Sequence, residues 1–165
     1  DSSLLGEVNE FDNLLILRTC SKAIGLAGIR LGFAVAGDLI TRAFRAAKSP
    51  YNVNAMTQAF AAVVLRERDY LDDCVRRLVR SRRELYEALV RLQGRTEGIV
   101  AVYPPVTNFV FLKACGSRGL FEGLLAKGIA VRHMGEHLRI SAGSPVENKA
   151  VLEALEELLC ERKGA

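Results

Sequence analysis

The sequence has no paired cysteines. Cys20, Cys74, Cys115 and Cys160 stand far apart and form no CxxC spacing, which argues against a disulfide framework and a structural zinc site and fits a reducing, cytoplasmic setting. No apolar run approaches the roughly 20 residues that span a bilayer. The opening DSSLLGEVNEFDN lacks the basic and apolar regions of a signal peptide. The expectation is a protein that is neither secreted nor membrane-inserted. Internal repeats and low-complexity segments are also missing. The two histidines, His133 and His137, have a spacing that suits a metal on a helix. Gly135 between them and the strand-like residues on either side spoil that geometry, so no metal is expected.

What is present is enough for a core. The chain has 165 residues, half of them hydrophobic, the size of an ordinary globular domain. Its net charge of +4 collects in VRRLVRSRRELYEALVRL, which holds Arg76, Arg77, Arg80, Arg82 and Arg83. Such a cluster suits a phosphate backbone. However, Leu78, Val79, Leu85, Tyr86 and Leu89 recur between the arginines at roughly helical spacing, and no aromatics interleave as on a nucleic-acid platform. The segment reads as a solvated helix face, with no nucleic-acid partner.

Along the chain, LLIL at 14–17 is a continuous apolar run of the kind found in strands buried on both faces of an α/β sheet. LGFAVAG reads as a second buried strand, and Asp38 as the N-cap of a helix over LITRAFRAAK. KSPYNVN breaks that helix. AMTQAFAAVVLRE then reads as a largely buried helix, followed by an amphipathic stretch from about Asp69 to Leu92 that Gly94 and Gly98 end. Beyond it, IVAVYPP, NFVFLKA, IAVRHM and HLRISAG read as strands, with SRGLFEGLLAKG as a helix between the second and third. In the last helix Ser144 is the N-cap, Pro145 the first helical position and Glu147 the far side of a capping box. A boundary at 66–70 divides a short α/β part, 1–68, from an α+β module, 69–165. Two strands are marginal alone, so the first part calls for a cover that this chain does not supply.

Chemistry concentrates in RTCSKAIGLAGIRLGF. Lys22 falls at the carboxyl end of the first strand, where open α/β sheets place their ligands. Thr19 and Ser21 put hydroxyls on either side, the glycines let a ligand approach the backbone, and Arg30 offers a fork that matches phosphate oxygens. An amine beside a phosphate cradle suits a cofactor that is both an aldehyde and a phosphate ester. SKAIGLAGIRLGF resembles the lysine motif S-K-A-x-G-L-A-G-x-R-x-G of the fold-type I enzymes that use pyridoxal 5′-phosphate, in particular the histidinol-phosphate aminotransferases. KSPYNVN, TNFVFLK and LRISAGSPVEN are similar to later segments of that family, in the same order.

The resemblance implies a pyridoxal-phosphate-dependent transferase fold, α/β, present as a partial large domain plus a complete small carboxyl-terminal α+β domain. It implies a Schiff base on Lys22 and phosphate contacts from Thr19, Ser21 and Arg30. It further implies substrate contacts from Arg139 and Arg132, with Asn108 a further candidate; the alternatives are that Arg139, at a strand end, pairs with an acid such as Glu147, the less favoured reading, and that Asn108 simply serves the strand entry. Tyr51 and Asn52 read as turn residues. The implied reaction is transamination of histidinol phosphate with 2-oxoglutarate, giving imidazole acetol phosphate and glutamate, by a cytoplasmic homodimer.

Three rivals stand beside it: a threonine-phosphate decarboxylase, an aminotransferase for other amino acids such as aromatic ones, and a non-catalytic binding module. Enzymes of this type are much longer, with the lysine past their middle. No acid upstream of Lys22, among Asp1, Glu7, Glu10 and Asp12, has the setting of the aspartate that pairs with the cofactor's pyridine nitrogen. The chain is therefore expected to be a carboxyl-terminal part, inactive alone.

Overall fold

The computed structural model describes residues 3–161. The chain forms two compact units, 1–74 and 75–165.

In the first unit β1 (Leu15–Thr19) pairs antiparallel with β2 (Gly32–Ala36), from Leu15 opposite Ala36 to Thr19 opposite Gly32. α1 (Asp38–Ala47) and α2 (Ala55–Val64) follow. Three expectations are corrected here. The strands are not buried on both faces: Leu17 is 73% exposed, because no second layer among the described residues covers the pair. α2 is not largely buried, since only Thr57 and Ala61 are and Met56, Phe60 and Val63 face outward. Gly37 is the N-cap of α1, and Asp38 is the first helical residue. An acidic side chain in the first turn suits the positive end of the helix dipole as well as a cap, so composition alone does not separate the two positions.

α3 (Arg68–Gln93) runs across the division between the units. The second unit contains β3 (Ile99–Tyr103), β4 (Phe109–Ala114), α4 (Ser117–Ala126), β5 (Arg132–Met134), β6 (His137–Ser141) and α5 (Pro145–Glu161). Its four strands form one antiparallel sheet in the order β3-β4-β6-β5. Strand side chains alternate between faces. Val110, Leu112 and Ala114 of β4 and Leu138 and Ile140 of β6 point inward, into a core shared with Leu85 and Leu89 of α3, Leu120 and Leu124 of α4, and Leu155 and Leu159 of α5. Each fully buried leucine stabilises the fold by about 1.5–3 kcal/mol relative to exposure. The opposite face, half-open to solvent, carries Phe109, Phe111, Lys113, His137 and Arg139.

The start of α5 is closed by a reciprocal pair: Ser144 N–H donates to Glu147 Oε2 at 2.7 Å, and Glu147 N–H to Ser144 Oγ at 3.3 Å. This is the capping box that the sequence predicts. Buried Asn148 accepts from Gly143 N–H (2.9 Å) and donates to Ser81 Oγ (2.7 Å), fixing the chain that leaves β6 against α3.

Candidate active site

Lys22 lies in the bend just past β1, exposed. The ladder continues one step beyond Thr19–Gly32, as Cys20 N–H donates to Leu31 O (3.3 Å), and Leu26 N–H then donates to Cys20 O (2.8 Å). Cys20 is 1% exposed. Residues 20–31 are thus a closed loop anchored at its root, with Ser21 and Lys22 just past the first strand and Arg30 just before the second. Gly25, at φ +72°, takes the left-handed turn after the lysine, its N–H on Lys22 O at 2.9 Å. A Cβ at Gly28 would meet no atom within 4 Å, so the backbone there is open to a ligand. At Gly32 the close approach is to the chain itself, since a Cβ would sit 3.0 Å from Arg18 O.

Thr19 Oγ1 accepts the Ser21 N–H at 3.1 Å, which leaves its own O–H free to donate. Arg30 is exposed, ends the short 3-10 turn Ala27–Ile29 and holds Ala27 O through Nη1 at 3.1 Å. The rest of its fork remains available. An exposed primary amine that shares one short stretch of chain with two hydroxyls and a guanidinium suits a small molecule with a carbonyl to attack and an anionic group to hold. Tyr51 is 88% exposed in the turn after α1. Asn52 lines a groove of about 500 Å³ between the two-stranded sheet and α1, and none of Thr19, Ser21, Lys22 and Arg30 lines it.

In the second unit, β5 and β6 meet in a hairpin of two loop residues, Gly135 (φ +62°) and Glu136, with Met134 opposite His137. That tight turn puts Arg132 directly opposite Arg139. Two like charges so placed repel, and an anion beside them converts the repulsion into attraction. The Arg139 guanidinium carbon lies over the Phe109 ring, 4.9 Å from its centroid, and its buried Nε has no hydrogen-bond partner among the described residues. Asn108 O accepts Ala142 N–H at 3.0 Å, which ties the entry of β4 to the end of β6.

The register puts His133 on the inner face, opposite Leu138, and His137 on the outer face, opposite Lys113. They point away from each other, and no cluster of three potential ligands occurs among the described residues. Ser117 Oγ gives its single hydrogen to Gly135 O (2.8 Å), so the His133 Nε2 at 3.2 Å must be the donor in that pair. His137 stacks on Phe111 with centroids 4.7 Å apart. Beside them Lys113 and Glu136 pair at 2.9 Å, a hydrogen bond that holds the Glu136 carboxyl below the usual carboxylate range. Of the arginine-rich face, Arg82 donates to Thr107 O (3.0 Å) and Arg83 pairs with Glu87 (2.8 Å).

Sequence reasoning missed Asn54 and Thr57. Asn54 Oδ1 caps α2 by accepting Thr57 N–H (2.9 Å), and Thr57 Oγ1 donates to Ile29 O (3.0 Å), inside the glycine-rich loop. The capping pattern N-x-x-T was the available signal. The left-handed backbone of Arg30 had none, since arginine rarely adopts it.

Known proteins are similar to this chain in sequence and in fold. A histidinol-phosphate aminotransferase of Thermoanaerobacter sp. (strain X514) is 38% identical over 164 residues, covering 96% of this chain and 45% of that protein. The crystal structure of the histidinol-phosphate aminotransferase from Clostridium acetobutylicum superposes with a TM-score of 0.86 at 23% identity, over 97% of this chain and 50% of the other. That of L-threonine-O-3-phosphate decarboxylase from Porphyromonas gingivalis gives 0.79 at 24%, over 94% and 49%. At those identities the two structures speak for the fold alone. The chain spans less than half the length of the curated relative it matches. The sequence profile described as aminotransferase class I and II matches residues 2–155, nearly the whole chain, and the chain therefore belongs to that family.

Proposed function

We propose that this chain is the lysine-bearing, carboxyl-terminal part of a pyridoxal-phosphate-dependent aminotransferase that converts histidinol phosphate and 2-oxoglutarate to imidazole acetol phosphate and glutamate. The observation that carries the reading is the β1–β2 loop and its root, which bear in sequence order Thr19, Ser21, an exposed Lys22 and the anchored Arg30. The donors present fit the cofactor: an amine for its aldehyde, two hydroxyls and a guanidinium for its phosphate, and open backbone at Gly28 to admit it. When bound, pyridoxal phosphate supplies an electron sink for the charge left on the substrate carbon.

The remaining work belongs to the chain. Lys22 Nζ would hold the cofactor through its aldehyde and, as a free amine, would accept the proton from the substrate carbon. Thr19 Oγ1–H, Ser21 Oγ–H and Arg30 hold the phosphate. Arg139 anchors the anionic end of each substrate, the phosphate of one and a carboxylate of the other. Stacking on Phe109 restricts its planar fork, which serves either anion. Arg132, opposite it, adds a second positive charge, and Asn108 lies beside the substrate at the strand entry. Residues 1–68 belong to the large domain and 69–165 form the small one, and the whole enzyme is a cytoplasmic homodimer.

The test is to assay the full-length protein with histidinol phosphate plus 2-oxoglutarate against threonine phosphate. Glutamate formation supports the reading, and carbon dioxide release from threonine phosphate overturns it in favour of a decarboxylase. That second reading stays in view because a pair of arginines such as Arg132 and Arg139 would anchor either phosphorylated substrate. A non-catalytic module would instead bind its partner in a steeply salt-dependent way and keep doing so after Lys22→Ala.

A further inference from the structure

Among the described residues Arg30 is the one non-glycine with positive φ, at φ 56° and ψ 41°. An L-residue pays a steric cost in that region, so the surroundings must hold it there. The peptide that precedes it is pinned at both ends. Arg30 N–H donates to Ala27 O at 3.4 Å, and the Ile29 carbonyl accepts Thr57 Oγ1–H at 3.0 Å. Fixing that peptide plane fixes where the Arg30 N–Cα bond points, and the left-handed φ about that bond then sets the direction in which the side chain departs.

Thr57 is well suited to hold it. It is 8% exposed, lies 28 residues beyond Ile29, and begins from a helix whose first turn is capped by Asn54. Its hydroxyl has one hydrogen, and Ile29 O takes it. β-Branching restricts χ1 to few rotamers, so the hydroxyl is held in place rather than free to turn.

We infer that Thr57 is a positioning residue for the anion-binding arginine: its hydroxyl locks the Ile29–Arg30 peptide and so presents the Arg30 guanidinium to the cofactor's phosphate. The inference rests on the reading that Arg30 holds that phosphate. Thr57 itself touches no reacting atom.

The test uses the full-length apoprotein and two probes, pyridoxal phosphate and pyridoxal, which share ring and aldehyde and differ in the phosphate. Dissociation constants come from equilibrium dialysis. Thr57→Val is expected to weaken pyridoxal phosphate by about tenfold, the worth of one good hydrogen bond to its site. Pyridoxal should be unaffected, and Thr57→Ser should restore the wild-type ratio. Thr57→Ala also lacks the hydroxyl but opens space, so whichever of these two variants folds supplies the reading. In an Arg30→Ala background Thr57→Val should have no further effect. If Arg30→Ala leaves pyridoxal phosphate binding unchanged, the underlying reading fails. If Arg30→Ala weakens it and Thr57→Val does not, the inference alone fails. Equal losses for both probes would make Thr57 a purely structural residue and also overturn it.

Discussion

The proposed function gives Lys22 and Arg139 different kinds of work, and their variants would separate them. On the proposed reading, Lys22→Ala in the full-length protein removes the group that would bind the cofactor covalently and move the proton, so kcat should fall by at least about a thousandfold, with little change in affinity for substrate. Arg139→Lys keeps the charge but loses the planar fork stacked on Phe109. The expected result is a rise of about 10–100-fold in KM for both anionic substrates, read by steady-state kinetics, with kcat changed much less. The expectation for Lys22 and Arg30 comes from one motif, whose residues form the single loop that joins β1 to β2. The direct opposition of Arg132 and Arg139 was not legible, because a two-residue hairpin at Gly135–Glu136 sets that register and nothing in either strand states it.

At the scale of elements, α5 was readable almost residue by residue, since Ser144, Pro145 and Glu147 act on backbone groups within one turn. Ser144→Ala should cost about 1 kcal/mol, measured by urea unfolding. The Glu147 carboxyl is held below the usual carboxylate range, first by the Ser144 backbone N–H and then by its hydroxyl. A lowered folded value means that this stabilisation is present above the ordinary carboxylate range and is lost as pH falls through the lowered value. Stability measured down through that acid range should therefore fall less steeply in Glu147→Gln than in the wild type.

The alternation in NFVFLKA likewise gave β4 its inner face. Leu112→Ala, at a fully buried site, should cost about 2–5 kcal/mol. Gly98→Ala would press a methyl group into Leu159 and should cost about 1–3 kcal/mol. The burial of β1, β2 and α2 was misread for a common physical reason. An apolar run states what a segment is suited to pack against, and Leu17, Met56, Phe60 and Val63 have no such layer among the described residues.

For the whole molecule, the chain's span of under half of its curated relative bears on activity. The first unit carries the amine and the groups proposed to hold an anion, but residues 20–31 include no acid to tune a cofactor ring. The 165-residue chain mixed with pyridoxal phosphate should show slow reaction at Lys22 and no turnover, with brisk transamination by the chain alone contradicting this. The central claim is that Lys22 is the covalent site for the cofactor of an aminotransferase. Its most direct measurement is the absorbance of the full-length protein with pyridoxal phosphate, wild type against Lys22→Ala, followed by glutamate formation from histidinol phosphate and 2-oxoglutarate. The account predicts that the band of lysine-bound cofactor and the glutamate signal both vanish in the variant, and an unchanged band with sustained glutamate formation would contradict it.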